Sequence, residues 1–361
     1  MKLVIAGGCG DCGRNAFYIA GNGHAFILDC GVSTDGLNRI PDFTAEQLEK
    51  AEFLFLSHSH KDHSGAIEYV EDMGYTGPVL MSNRTYQQLS YKPKNTMILD
   101  STAPELELLP DVRIKWGLTG HCAGSVWYLI QVGGKRVFYS GDYREGDVFY
   151  RCQPIRDITA DLAIMEAHLD RGLYAQPMRQ QVMDTLFSLM EGGKSVLLPV
   201  SLHGRGLSIA SALALTPGFD RPIFMSENLW NQWQSLARRH YFVNEEIFNI
   251  PLDRFRCWDG KTLEGNGIYF LTDSQLGKAE NRQLVDRNPD IPVLLTGPLH
   301  GYGQAREYVE SGRIHLSVWP NHTSLSEMEE IVRKNTFGKV IPFHNEHMPW
   351  HEEMVEFLFV K

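Results

Sequence analysis

The stretch Leu56-Ser57-His58-Ser59-His60-Lys61-Asp62-His63-Ser64-Gly65 constrains this chain more than any other. Four candidate metal ligands, His58, His60, Asp62 and His63, follow the apolar run FLFLS, which reads as a buried strand. A tight loop at a strand end aims His58 and His60 to one side and Asp62 and His63 to the other. Two divalent cations about 3.5–4 Å apart need that division. The nitrogen and oxygen donors suit Zn2+, with Mn2+ or Fe2+ as alternatives.

Other candidate ligands stand at the ends of other predicted strands. His121 follows VRIKWGLTG, Asp142 ends VFYSGD, and His344 ends KVIPFH. Together they supply what a dinuclear site still lacks: a third ligand for each ion and a bridging carboxylate.

Composition sets the frame around this site. The 361 residues suggest two domains, or one with a large insertion. The 34 basic and 44 acidic residues leave a net charge of -10, which excludes a generally basic nucleic-acid coat but not a local basic channel. No apolar run reaches the roughly 18 residues of a membrane span, and the start lacks the apolar core of a secretory signal. Six cysteines are sparse, so free thiols and a cytoplasmic location are expected. Cys9 and Cys12 form a CxxC without a second pair to complete a zinc site, and read as small residues in a Gly-rich turn.

The first half reads as short strands with few helices, including a helix over HSGAIEYVEDM and a hairpin turn at Gly133-Gly134. After about residue 170, helices and buried strands alternate, the signature of a parallel sheet covered by helices. A helix from about Pro349 closes the chain.

The HxHxDH box with His121 and Asp142 resembles the metallo-β-lactamase fold of dinuclear hydrolases. The resemblance extends to its β-CASP branch, the nucleases of RNA processing and DNA repair. The implied fold class is α/β: an αββα sandwich over residues 1–169 and 319–361, with an α/β β-CASP-like domain inserted at 170–318. Asp29 in FILDCG matches the aspartate that supports the metal loop from behind. Glu166, His322 and His344 match the later acidic and histidine motifs. The resemblance implies that His58, His60 and His121 hold one ion, and that Asp62, His63 and His344 hold the other. Asp142 bridges, and Asp62 counts as a catalytic residue as well as a ligand. His322 acts as the acid toward the leaving oxygen, oriented by Glu166. SVLLPVSLHGRGLSIASAL is similar to the family's Gly-Arg helix start, where Ser201, His203, Gly204 and Arg205 are candidate phosphate contacts.

The implied activity is hydrolysis of a nucleic-acid phosphodiester by a metal-bound hydroxide. His344 at the final motif favours RNA over DNA. The chain departs from the family pattern where Ala167-His168-Leu169-Asp170 follows the acidic residue, and at Pro320-Asn321-His322-Thr323-Ser324. These departures and the short insertion keep an alternative open: a hydrolase of a small phosphoester, thioester or lactam, with the insertion as a lid. The expected partners are an RNA or DNA substrate and no membrane, with a homodimer left open.

Overall fold

A computed structural model describes residues 1–11, 13–263, 266–299 and 303–345. Cys12 of the CxxC, Tyr302 and the segment from Pro349 lie outside the described residues. The chain divides into two compact units. One holds Met1–Glu145, Cys152–Gly172 and the described residues from His322; the other holds Gly146–Arg151 and Leu173–Asn321.

The first unit is built on two six-stranded sheets. The first runs in order through β1 (Lys2–Gly7), β2 (Ala16–Gly21), β3 (His24–Leu28), β4 (Phe53–Phe55), β5 (Val79–Ser82) and β6 (Thr96–Leu99). Its first three strands are antiparallel, and β3 to β6 pair in parallel. The second sheet has β7 (Glu105–Leu109), β8 (Val112–Leu118), β9 (Val126–Val132), β10 (Lys135–Tyr139), β11 (Thr159–Glu166) and, at its far edge, β18 (Thr336–Phe343). The β9–β10 hairpin turns on Gly133 and Gly134, both at positive φ. β18 pairs in parallel with β11 over a long register.

The two sheets meet through aromatic rings. Phe17 packs on Tyr139 and Phe343, and Phe55 on Tyr128, with centroids 5.4–5.8 Å apart. Helices cover the outer faces. Leu48 of α1 (Ala45–Lys50) and Ile67 and Val70 of α3 (Ile67–Asp72) pack on the first sheet. Met328 and Ile331 of α10 (Leu325–Arg333) pack on Trp127, Phe138 and Ala163 of the second. The result is the αββα sandwich.

The single helix expected over HSGAIEYVEDM is two: α2 (Lys61–Ser64) and α3. The break follows from backbone capture. The Ala66 amide donates to the Cys30 carbonyl at 2.9 Å instead of continuing the helix. Between β5 and β6 lies α4 (Asn83–Gln88), capped by the Ser82 hydroxyl.

The second unit has a parallel sheet ordered β12 (Val196–Val200), β15 (Ile268–Thr272), β13 (Ile223–Ser226) and β14 (Phe255–Trp258). Its helices are α5 (Ala175–Leu189), α6 (Arg205–Leu215), α7 (Glu227–Leu236), α8 (Ala279–Arg287) and α9 (Ala305–Glu310). A short parallel pair, β16 (Leu294–Leu295) and β17 (His315–Leu316), completes it. Residues 146–151, expected with the first domain, belong here: the Arg151 amide donates to the Phe242 carbonyl, and Asn244 to Phe149. Residues 170–172 fall in the first unit and 319–321 in the second, shifting the expected boundaries slightly. Among the described residues no helix is long and apolar enough to cross a membrane.

Candidate metal centre

Every predicted metal ligand lies in the first unit, at or just beyond a strand end. His58, His60, Asp62 and His63 follow β4, Asp142 follows β10, His344 follows β18, and His121 stands between β8 and β9. The box is pinned by backbone bonds from neighbouring loops. Asn15 donates to the Asp62 carbonyl at 2.9 Å, Cys30 to His63 at 2.7 Å, and Val32 to Lys61 at 3.0 Å. Gly31 makes this approach feasible: a Cβ there would sit 1.7 Å from the Asp62 carbonyl oxygen.

Two donor groups converge on Asp142, which is buried. In the first, His58 Nε2 lies 3.0 Å and His121 Nε2 3.1 Å from His60 Nδ1. Both Nε2 atoms face Asp142 Oδ2, at 3.6 and 3.5 Å. In the second, His63 Nε2 and His344 Nδ1 lie 3.1 and 3.0 Å from Asp142 Oδ1. Asp62 Oδ2 is 3.7 Å from His63 Nε2 and 3.2 Å from His344 Nε2. Asp142 therefore presents one oxygen to each group.

These residues fit two dications. Bonds of about 2.1 Å to a tetrahedral ion place neighbouring donors about 3.4 Å apart, and the observed separations run from 3.0 to 3.7 Å. Neither oxygen of Asp142 completes a hydrogen bond, nor does Nδ1 of His344. A buried carboxylate so surrounded is costly without a cation to receive its lone pairs.

Asp29, fully buried, supports the box from behind. Its Oδ1 accepts from the Ser57 amide at 2.6 Å. Its Oδ2 accepts from the Ser57 hydroxyl and His63 Nδ1 at 2.6 Å, and from the Tyr139 hydroxyl at 2.5 Å. The bond from Nδ1 aims Nε2 of His63 at Asp142. Ser57, Tyr139 and Asn15, whose Nδ2 lies 2.9 Å from His63 Nε2, complete this shell. Sequence reasoning did not find these three. Ser57 adjoins the box, but Tyr139 and Asn15 carry no local signal.

Glu166 and His322 meet as a pair. Nδ1 of His322 is 2.5 Å from Glu166 Oε1, while Oε2 accepts from the amides of Tyr143 and Thr323 at 2.7 and 3.2 Å. The His322 carbonyl accepts from Arg144, which also binds Glu327 through two nitrogens, each at 2.8 Å. The His168 ring lies tilted against those of His322 and His344, with centroids 4.4 and 4.6 Å apart. Burial and the nearby His344 hold its pKa down at about 4.

The four candidate phosphate contacts lie in the second unit, at the start of α6. The Ser201 hydroxyl donates to the His203 carbonyl at 3.0 Å. The Gly204 amide donates to the Tyr150 hydroxyl at 3.3 Å, so one donor expected for a phosphate is engaged within the protein. His203 Nδ1 is 2.6 Å from Gln232 Nε2. Arg205 is buried and donates to Asn321 at 2.6 Å.

The electrostatics predict a measurable response. Burial opposes charge on His63, but Asp142, Asp62 and Asp29 outweigh it and raise its pKa to about 10. His344, buried against Asp142, Asp62 and Glu166, is likewise raised well above the usual range. Burial and His63 hold His58 well below it. At pH 7 the ion-free second group therefore carries protons that a cation must displace. Cation uptake should release protons and tighten as pH rises toward 10. Calorimetry in buffers of different ionisation enthalpy measures this, and identical heats in all buffers would contradict it.

The sandwich and its strand-end ligands define a class. Residues 9–175 match the metallo-beta-lactamase superfamily. Among curated proteins it is similar to the transcription termination factor FttA of Methanothermobacter thermautotrophicus, 24% identical over 85% of this chain and 53% of the relative. It is also similar to an endoribonuclease of Yarrowia lipolytica, 26% identical over 86% of this chain and 40% of the relative. Integrator complex subunit 11 of Danio rerio is 24% identical over 79% of this chain and 56% of the relative. The chain thus spans about half the length of the curated relatives it matches. A crystal structure of a protein of unknown function from Enterococcus faecalis shares the fold, with a TM-score of 0.60 at 11% identity, covering 96% of this chain and 94% of that one.

Proposed function

We propose that this protein is a metal-dependent ribonuclease, hydrolysing a phosphodiester with two Zn2+ ions. The observation that carries the reading is Asp142, flanked by two complete donor groups, with the Glu166–His322 pair beside it. Relatives named as endoribonucleases support RNA as the substrate.

His58, His60 and His121 would hold one ion, Asp62, His63 and His344 the other, and Asp142 both. Bound there, two dications lower the pKa of a water and draw charge from a phosphoryl group. The chain's own residues do the rest. Glu166 receives Nδ1–H of His322, which leaves Nε2 as the atom that exchanges a proton with the leaving oxygen. Arg144 holds the His322 backbone, and the buried strand ends around Asp29 exclude water. We read the second unit as the β-CASP insertion. Arg205 there is a proposed phosphate contact, because its guanidinium is buried with Nε unpartnered. The five described free cysteines agree with a cytoplasmic location.

End-labelled single-stranded RNA, and DNA of the same sequence, test the reading. The chain should cut the RNA in preference, lose the activity to EDTA, and regain it with Zn2+ or Mn2+. Cleavage that survives exhaustive chelation would refute the metal mechanism, and equal cleavage of DNA would refute the substrate.

A further inference from the structure

His168 occupies a position at which this chain departs from the β-CASP pattern. It lies two residues beyond Glu166, on the loop that leaves β11. Its ring lies against two functional imidazoles at once, His322 at 4.4 Å and His344 at 4.6 Å between centroids.

The three nitrogen sets lie close enough to suggest another cation seat, but the ring geometry argues against it. Around His60, the first-group imidazoles meet at 79° and 89°, edge to face, so that their in-plane lone pairs converge. His168 is tilted 38° from His322 and 46° from His344, away from that edge-to-face relation. Both nitrogens of His344 also face carboxylates already, Nδ1 toward Asp142 and Nε2 toward Asp62.

The polar contact of His168 is instead to the backbone. Its Nδ1 lies 3.0 Å from the carbonyl oxygen of His344, and a carbonyl can only accept, so Nδ1 carries the proton. His344 needs such a hold. Its φ is +65°, a left-handed conformation disfavoured for a residue with a Cβ. The peptide before it is fixed by the His344 amide donating to Gly8 at 2.7 Å and by Ala167 donating to Phe343 at 3.0 Å. The carbonyl after it is fixed by His168.

We propose that His168 is a positioning residue for the second metal group: its Nδ1–H locks the left-handed His344 peptide, and so aims the His344 ring at Asp62 and Asp142. The proposal rests on the reading of His344 as a second-group ligand. It ties the acid strand β11 to the ligand that ends β18 through one side chain, independently of the backbone pairing between those strands.

Cation titration of the chelator-stripped full chain with Mn2+, followed by electron paramagnetic resonance, resolves the two affinities without any turnover. Four variants are compared, each first checked for a melting profile like that of the stripped wild type. His168→Ala removes ring and donor. His168→Phe keeps a ring and loses the donor. His168→Asn loses the ring but places an amide N–H where Nδ1 stood. His344→Ala tests the underlying ligand assignment. The expected result is a second-ion affinity weakened roughly tenfold or more in the Ala and Phe variants, on the scale of a lost outer hydrogen bond. Asn should recover most of it, with the first-ion affinity unchanged throughout. Wild-type second-ion affinity in the Ala and Phe variants overturns the proposal, and so does equal loss in all three His168 variants, which would assign the effect to packing. Should His344→Ala keep both affinities, the ligand reading fails first, and this inference falls with it. If the Ala variant does not fold, the Phe and Asn pair decides by itself.

Discussion

On the ribonuclease reading, Asp142→Ala should lower RNA cleavage by more than about a thousandfold, well beyond the roughly 10–100-fold expected of an outer hydrogen-bonding partner. The reason is the division of its two oxygens. Oδ2 faces His58 and His121, and Oδ1 faces His63 and His344. Loss of one carboxylate therefore opens both donor groups, and four buried imidazoles lose the anion they face. Burial alone would raise the pKa of Asp142, but His344 and His63 reverse this and keep it ionised far below the usual range. His60→Ala should be comparably damaging, since His60 Nδ1 is the atom from which both His58 and His121 are about 3 Å away. Single-turnover cleavage of labelled RNA, with metal content measured on the same preparations, checks both variants. Cleavage within tenfold of the wild type in either would sink the assignment of the centre.

Asp29→Ala should cost the metal-free protein about 3–5 kcal/mol of stability, the range for removing one partner from a buried charged network. The carboxylate is fully buried and accepts from four donors: the Ser57 amide and hydroxyl, His63 Nδ1 and the Tyr139 hydroxyl. Alanine leaves the Ser57 amide, His63 Nδ1 and the Tyr139 hydroxyl without this acceptor in a buried interior. The backbone compounds the loss, because Asp29 sits at φ +53°. Asn tolerates that conformation nearly as well as Asp, whereas Ala does not. Asp29→Asn therefore separates the two contributions and should fall between wild type and Ala in urea unfolding. An Ala variant as stable as the wild type would show that the network is dispensable.

How much of this was legible beforehand depended on sequence distance. The HxHxDH box announces itself because one tight loop supplies ligands to both groups. The strand-end positions of His121, Asp142 and His344 were readable because apolar runs stop beside them. The supporting shell was not, since Tyr139 meets Asp29 across 110 residues and neither carries a mark of the other. Secondary structure failed where patterning was weak. β6 and β7 are edge strands with exposed residues, and ELELL shows charge alternation without a buried face. β14 is only four residues, two of them exposed, and α8 is mostly polar. The phosphate contacts were expected from a predicted helix start, its arginine and the likeness to the family's Gly-Arg segment. The Tyr150 hydroxyl on the Gly204 amide could not be anticipated, because Tyr150 comes from the segment 146–151, which joins the second unit from far upstream.

The pairing of β11 with β18 carries a consequence for biogenesis. β11 ends at Glu166, and its partner begins at Thr336, with nearly the whole second unit made in between. A chain emerging from the ribosome exposes the HxHxDH box early and must wait for its last described strand before His344 arrives. Up to that moment the second donor group has only Asp62 and His63 beside Asp142. On the ribonuclease reading, synthesis of the HxHxDH box is thus separated in time from competence to cut, which waits until β18 has delivered His344.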